Sequence, residues 1–579
     1  MSLQSPAGEL EHVVWWDVEV MECRKYRTTL EYRCTQSYPG RQAQLLYNAA
    51  AVPRLALSLP SRGRMAMMKT GKICGRSLRS YRIALCILSC LFTLTTIGLV
   101  ACELLFDTVE YNLVAKNLVI AENSSSFQIL KTDSEGKVEF YLFNLTNADE
   151  WQKNEAKPRL RTVGPYVYRR TVKKTGIRFI EAIYGQRFLE YSLSTVYHFE
   201  PNGSIGDPRK TRLTVPNFVE GVANSMIKQA GSFGTKLAWF FLRKPPIVRL
   251  TAEEIMWGYE YGSLSAGKFL GLVKDAKIGL FNRLNNSVYG PYKSDTGVTN
   301  ITRLGAMVAY ENKAELSKWG SVYANMLNGT ADIITPPSVK MGDKRYMFSS
   351  DICRSVSFVA KKWVSAKNYP QLKLLALEMD TNVFRSADEE PDNVAFHPKV
   401  YPIDKYPPTG LLSLSPCIDF GIAGDEPLFV SLPFFNQAAD ELQDAVIFEG
   451  PTEPNLTIHA HIEPKTGILV GGELSFQINV FLAKGIQKTP KDIYFPLAYI
   501  RDAQHAEREA AGQLHQMAYA VPGAIRSALR ALIGVSAMLV VLSLISALML
   551  YNREYQPQDV AFEENWGYED DFSGKTNSF

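Results

Sequence analysis

His459 and His461 alternate, so on a β-strand their imidazoles would share one face. A metal site needs three or four ligands, and the sequence points to no third here, so a structural role is expected and no metal is assigned. Ser263-Leu264-Ser265-Ala266-Gly267 approaches a nucleophile elbow but lacks its first glycine. The chain has no His-Glu-x-x-His, no phosphate-binding loop and no dinucleotide-binding glycine pattern. It is therefore not read as an enzyme, and neither a catalytic residue nor a cofactor is assigned. Leu99-Val100-Ala101-Cys102 has the form of a bacterial lipoprotein cleavage box, but the long leader and a second apolar span argue against that chemistry.

The residues best suited to binding lie between Gly221 and Ala252. Lys228, Lys236, Arg243, Lys244 and Arg249 occur there without a single Asp or Glu, and Phe233, Trp239, Phe240 and Phe241 are interleaved. A field of one sign draws anionic partners and speeds their encounter. Aromatic neighbours can hold an acyl chain or a lipoprotein surface. The other reading is a solvated basic face over an aromatic core. The formal net charge of +4 is too mild to suggest a nucleic-acid partner.

Those residues must be positioned by a chain with two long apolar runs. Ile83 to Cys102 and Ala531 to Asn552 carry no charge. At about 1.5 Å per residue each is long enough to cross the hydrocarbon of a bilayer. Arg62, Arg64, Lys69, Lys72, Arg76, Arg79 and Arg82 precede the first run, while Glu103, Asp107 and Glu110 follow it. Positive charge stays on the cytoplasmic side, so both termini are expected inside and the segment between the spans outside. The expected division is a cytoplasmic segment 1–82, a span at 83–106, an ectodomain at 107–526, a second span at 527–552 and an acidic cytoplasmic tail at 553–579. Residues 1–64 match nothing that follows and are expected to be disordered or foreign to the natural product.

Of eight cysteines, only Cys353 and Cys417 fall in the outside segment. In an oxidising compartment they allow one internal disulfide; two separate buried thiols are the alternative. Cys74, beside the basic cluster at the membrane entry, is a palmitoylation candidate or a plain thiol. Asn-x-Ser/Thr acceptors for glycosylation occur at Asn123, Asn144, Asn202, Asn285, Asn300, Asn328 and Asn455, all between the spans.

Thr108–Ile120 reads as a helix leaving the membrane. Lys137–Leu145 and the aromatic, β-branched runs that follow read as antiparallel sheet. At Pro216 the period changes to that of a helix, with Phe218, Val222 and Met226 on one face. A second helix is expected over Leu250–Tyr259, where Thr251 and Glu254 suit a capping box. Strands return from Ala306, with His459 and His461 in the candidate Ile458–Ile462 and another at Leu474–Phe481. The class is α+β: an antiparallel sheet or barrel with helices inserted around 217–275.

Several stretches, in order, resemble one family: GPYVYR (Gly164–Arg169), FEPNGSIGDP (Phe199–Pro208), EEIMWGY (Glu253–Tyr259), Asp295-Thr296-Gly297, FSSDICRS (Phe348–Ser355), FVSLPFF (Phe429–Phe435) and EPKTGILVGGELSFQIN (Glu463–Asn479). Between two terminal spans they look like the class B scavenger receptor family, the cluster-of-differentiation-thirty-six group, of which this is a distant member. Phe434 stands where the family usually has His. The resemblance implies an antiparallel β-barrel with an apical helical bundle that docks ligands, and a lipid tunnel through the barrel. It implies a scavenger-type receptor for fatty acids, phospholipids, sterols or lipoprotein particles that passes lipid towards the bilayer. The alternative is a protein receptor, for adhesion or for trafficking a soluble lysosomal enzyme, that uses the helical head. The tail lacks a dileucine pair and a Tyr-x-x-apolar signal, which favours the plasma membrane over endosomes or lysosomes.

Overall fold

The computed structural model describes residues 23–25, 32–34, 72–73, 76–218, 245–260, 268, 277–400, 403–417, 428–452, 456–485 and 489–554. The chain divides into two units, one of Met1–Ala84 with Ala547–Phe579 and one of Leu85–Ser546. In the first, Cys23–Lys25 pairs with Tyr32–Cys34, and the Arg82 guanidinium lies 5.1 Å from the centre of the Tyr551 ring.

Two helices are long and apolar enough to cross a membrane. Helix α1, Leu78–Leu118, runs through the first apolar stretch and the expected exit helix without a break. Leu88, Leu91, Leu94, Ile97, Leu104 and Leu105 are all exposed on it. A helix with apolar side chains all round has no polar face to turn to water, which suits lipid. The second span lies in the last helix, Val521–Glu554. Thr96 Oγ1 donates to Ser536 Oγ at 2.9 Å, joining the two spans.

The second unit is built on one sheet of 14 strands. Numbered in chain order, its path uses β1 (Ser134–Leu145), β2 (Arg159–Glu181), β3 (Arg187–Glu200), β4 (Ser287–Asp295), β5 (Met307–Tyr310), β6 (Lys344–Ser349), β7 (Arg354–Ala366), β8 (Tyr369–Met379), β9 (His459–Glu463), β10 (Ile468–Leu482) and β11 (Ile493–His505). The order is β5-β4-β3-β2-β1-β11-β10-β9-β8-β7-β6, every neighbour antiparallel. The sheet nearly closes on itself. Its two edges, β5 and β6, are tied by Gly329 and Thr330: Met307 N–H donates to Gly329 O at 2.7 Å, and Phe348 N–H donates to Thr330 O at 2.8 Å.

Aromatic residues fill much of the interior. Phe140 on β1 meets Tyr168, Tyr197, Trp257 and Phe281 with ring centres 5.0–6.0 Å apart. Trp257 comes from the helix Ala252–Trp257, where Thr251 and Glu254 form the capping box that the sequence suggests. The helix is shorter than the expected Leu250–Tyr259, because Ile247–Thr251 is a strand and Gly258 turns the chain at its end. Pro216, which reads as the first residue of a helix, instead closes the strand Arg212–Pro216 paired with Ile247–Thr251. Proline lacks an N–H and is accepted at a strand end, and Asn217 N–H supplies the next bond, to Pro246 O. This two-stranded stem carries residues 219–244, so the helix expected after Pro216 lies outside the described residues.

Candidate functional site: an apolar cavity with one polar end

Strand β10 explains how the barrel wall makes a site. Leu474, Phe476 and Ile478 alternate onto one face and line a cavity of ≈ 320 Å³. On the other face Gln477 and Asn479 hydrogen-bond to each other at 2.7 Å, and Asn479 donates to Ser431 Oγ at 3.0 Å. One face of the strand is thus apolar, and the other carries a polar network of Gln477, Asn479 and Ser431. Met347, Val356, Phe358, Met379, Val383, Phe384, Leu412, Leu414, Val430 and Ile458 complete most of the wall.

Polar side chains on the wall are few among the described residues: Ser349, Ser350, Asp351, Arg283 and Tyr289. Tyr289 donates to Arg283 O at 3.1 Å, and Ser350 Oγ accepts from Tyr292 at 2.9 Å. Asp351 lines this end of the cavity and is exposed. Burial pushes its carboxyl above the usual carboxylate range, against the attraction of Arg170. Arg170 itself is held by Asp502 at 2.6 Å, and burial raises that carboxyl too. Cys353 and Cys417 form a disulfide beside this end, with Cα atoms 5.5 Å apart, and Cys417 also touches the cavity. A larger recess of ≈ 800 Å³ is lined by Lys361, Lys362, Glu378 and Asp380, a wall that suits water rather than an acyl chain.

The basic and aromatic residues singled out in the sequence, Lys228, Phe233, Lys236, Trp239, Phe240, Phe241, Arg243 and Lys244, lie outside the described residues, as do Cys74, Asn455, the Ser263–Gly267 stretch and the tail beyond Glu554. Arg249 is exposed on the stem that leads to 219–244. Among the sequon asparagines, Asn123, Asn202 and Asn300 are exposed, whereas Asn144, Asn285 and Asn328 are half-buried. His459 and His461 do share a face of β9, with ring centres 4.9 Å apart, and His505 of β11 joins them at 6.2 Å from His461. The third imidazole reaches the pair through β10, which separates β9 from β11. No spacing along the chain signals that meeting. The His461 and His505 rings stack while His459 is tilted against His461, and among the described residues no three such groups are placed to hold a metal ion.

A nearly closed antiparallel barrel around an apolar cavity, in a chain with two terminal spans, narrows the comparison with known proteins. A model of the CD36 family matches residues 87–547. The chain belongs to this family. It is 26% identical over 439 residues to mouse lysosome membrane protein 2 (Mus musculus), covering 74% of this chain and 87% of that one. It is 27% identical over 446 residues to bovine scavenger receptor class B member 1 (Bos taurus), covering 75% and 83%. Against sensory neuron membrane protein 2 of the moth Heliothis virescens it is 26% identical over 412 residues, covering 65% and 75%. One CD36-family stretch joins the barrel to the spans. In Glu463-Pro464-Lys465-Thr466-Gly467 the Lys465 ammonium pairs with Glu110 of α1 and donates to Ala518 O at 3.1 Å, and Glu463 accepts from Tyr519.

Proposed function

We propose that this chain is a membrane-anchored receptor that admits single lipid molecules into the barrel cavity and passes them towards the bilayer. The observation that carries this reading is the ≈ 320 Å³ cavity walled by Leu474, Phe476, Ile478, Val430 and Leu412. A barrel interior filled throughout by side chains would have favoured a purely protein-binding role; this one keeps a cavity lined mainly by aliphatic and aromatic groups. Burial of an acyl chain against such a wall is worth about 25 cal/mol per Å². Capture is assigned to the stretch 221–252, with Lys228, Lys236, Arg243 and Lys244 attracting anionic lipid or lipoprotein and Phe233, Trp239, Phe240 and Phe241 retaining it. That the relatives include a scavenger receptor of class B supports a receptor role. Both termini are assigned to the cytoplasm, with the barrel outside and the plasma membrane as its place.

Lipid extraction and mass spectrometry on the full chain, purified in detergent, test the reading. The wild-type protein is expected to carry lipid in near-stoichiometric amount. Ile478→Phe and Val430→Phe, which fill the cavity, are expected to lower bound lipid several-fold while the protein still melts cooperatively. Wild-type protein that yields no lipid above the detergent blank, or filled variants that retain it in full, would overturn the proposal.

A further inference from the structure

Arg354 opens β7 and is only 7% exposed. Its Nη2 donates to Asn393 Oδ1 at 3.0 Å, while its Nη1 is buried with no hydrogen-bond partner. A buried charge without a counter-charge is costly. The neighbours do not supply one among the described residues. Asp380 is engaged by Lys344 at 3.4 Å and by Ser357 Oγ at 3.2 Å. His397 is kept neutral, because burial and the Arg354 charge lower its pKa to about 4. Burial brings Arg354 itself down to about 10, so the guanidinium is still charged at neutral pH.

The guanidinium is also held in place. Asn393, its partner, is anchored by donating to Asn382 O at 2.7 Å and Arg385 O at 3.0 Å. The Phe396 ring lies 3.6 Å from Arg354 Cζ. The free N–H edge belongs to a recess of ≈ 190 Å³ whose lining includes Tyr323, Tyr346 and Phe396. A water molecule takes up roughly 30 Å³ of the liquid, so the recess has room for more than one water on Nη1. Asp380, Glu390 and Asp392 line it as well. A phosphate dianion would meet repulsion there that one guanidinium does not offset, whereas a monocarboxylate brings a single charge and planar oxygens that suit a guanidinium edge.

We propose that this recess binds a small monocarboxylic acid as its anion, with Arg354 holding the carboxylate and the rings of Tyr323, Tyr346 and Phe396 flanking its apolar body. The site is separate from the barrel cavity, with which it shares only Val383 among the described lining residues. It does not rest on the reading of that cavity as a lipid site.

The test uses benzoate, which has one carboxylate and one ring, on full-length protein in detergent at neutral pH, read by calorimetric titration. Benzamide has the same shape without the charge, and inorganic phosphate has the charge without the ring. Wild type is expected to bind one benzoate, at least ten-fold more tightly than either. Arg354→Met removes the cation but keeps an apolar chain, a change that buried ionic sites often tolerate; it should lose at least ten-fold for benzoate. Asn382→Trp leaves Arg354 in place and fills the recess from an exposed lining position, and should lose a similar amount. The inference is overturned if wild type does not prefer benzoate to benzamide and phosphate, or if Arg354→Met, folded by its melting curve, binds benzoate like wild type. Should Arg354→Met not fold, Asn382→Trp decides, and full binding by that variant overturns the proposal. Ile478→Phe, which fills the barrel cavity, should leave benzoate binding unchanged; its loss would place the probe in the barrel and overturn the assignment to this recess.

Discussion

At the scale of single residues, the three clustered histidines make the most direct pH prediction. Burial lowers the affinity of His461 for a proton, helped by the neighbouring His459 and His505, and brings its pKa to about 4; burial also lowers those of His459 and His505. The groups around them are Glu378 and Lys362 on the β8 and β7 side, Glu473 on β10 and Lys367 beyond β7. In the unfolded chain each imidazole titrates near 6.5. Below that pH the unfolded state binds more protons than the folded one, so stability falls as pH drops from about 6.5 towards 4 and is unaffected above about 7. Melting temperatures of wild type and His461→Asn at pH 7.4 and 5.0 check this. The variant should lose less between the two values; equal losses would show that the cluster does not titrate with folding. The sequence shows two of these histidines on one face but gives no sign of the third. Asp351 is similar. It stands in a quoted family stretch, yet only the nearly closed barrel shows that it lines a cavity.

At the scale of elements, the decisive contact is the closure of the sheet through Gly329. Its φ of +74° falls in the left-handed region, and a side-chain carbon there would collide with the Tyr346 main-chain oxygen. The 329–330 segment that bridges β5 and β6 runs close against the Tyr346 main chain, an approach that glycine permits. Gly329→Ala should cost about 1–3 kcal/mol for the backbone conformation alone, and more for the collision. Gly342 is the control: its φ of +87° demands the same kind of conformation, but its surroundings are open. Gly342→Ala should therefore lower the melting temperature less than Gly329→Ala, and equal drops would mean that closure at Gly329 contributes nothing special. Local signals made much of this level legible. The alternation of Leu474, Phe476 and Ile478, the Thr251–Glu254 capping box and the charge-free spans each follow from a short-range pattern. Strand order does not, because pairing β1 with β11 or joining the edges through Thr330 depends on contacts far apart in the chain. Pro216 shows the limit of local reading, since a proline suits either a helix start or a strand end and only the partner strand decides.

At the scale of the whole molecule, topology rests on charge. Arg526 and Arg530 precede the second span on the side assigned to the outside, against the usual distribution of positive charge. Each is paired: Arg526 Nε donates to Glu103 at 3.0 Å and Nη1 to Asp107 at 2.7 Å, while Arg530 Nε donates to Glu103 at 2.8 Å. Two acids just after the first apolar run thus offset the arginines just before the second, leaving the seven-residue basic cluster before Ile83 as the dominant signal. The orientation proposed above would place every sequon where glycosylation occurs. Exposure ranks the sites: Asn123, Asn202 and Asn300 are open, while Asn144 and Asn285 are half-buried and accept hydrogen bonds from Thr214 N–H at 2.8 Å and Tyr197 N–H at 2.9 Å. Transfer happens on the nascent chain, before these bonds form, but a glycan on Asn144 or Asn285 would have to be accommodated beside a strand when the sheet closes. Mass spectrometry of glycosidase-treated, membrane-derived protein is expected to find near-complete modification at Asn123, Asn202 and Asn300, with lower occupancy at Asn144 and Asn285. Unmodified asparagine at all three exposed sites in protein from a glycosylating cell would reverse the proposed orientation and put the barrel on the cytoplasmic side, where the cavity would have to serve a different membrane face.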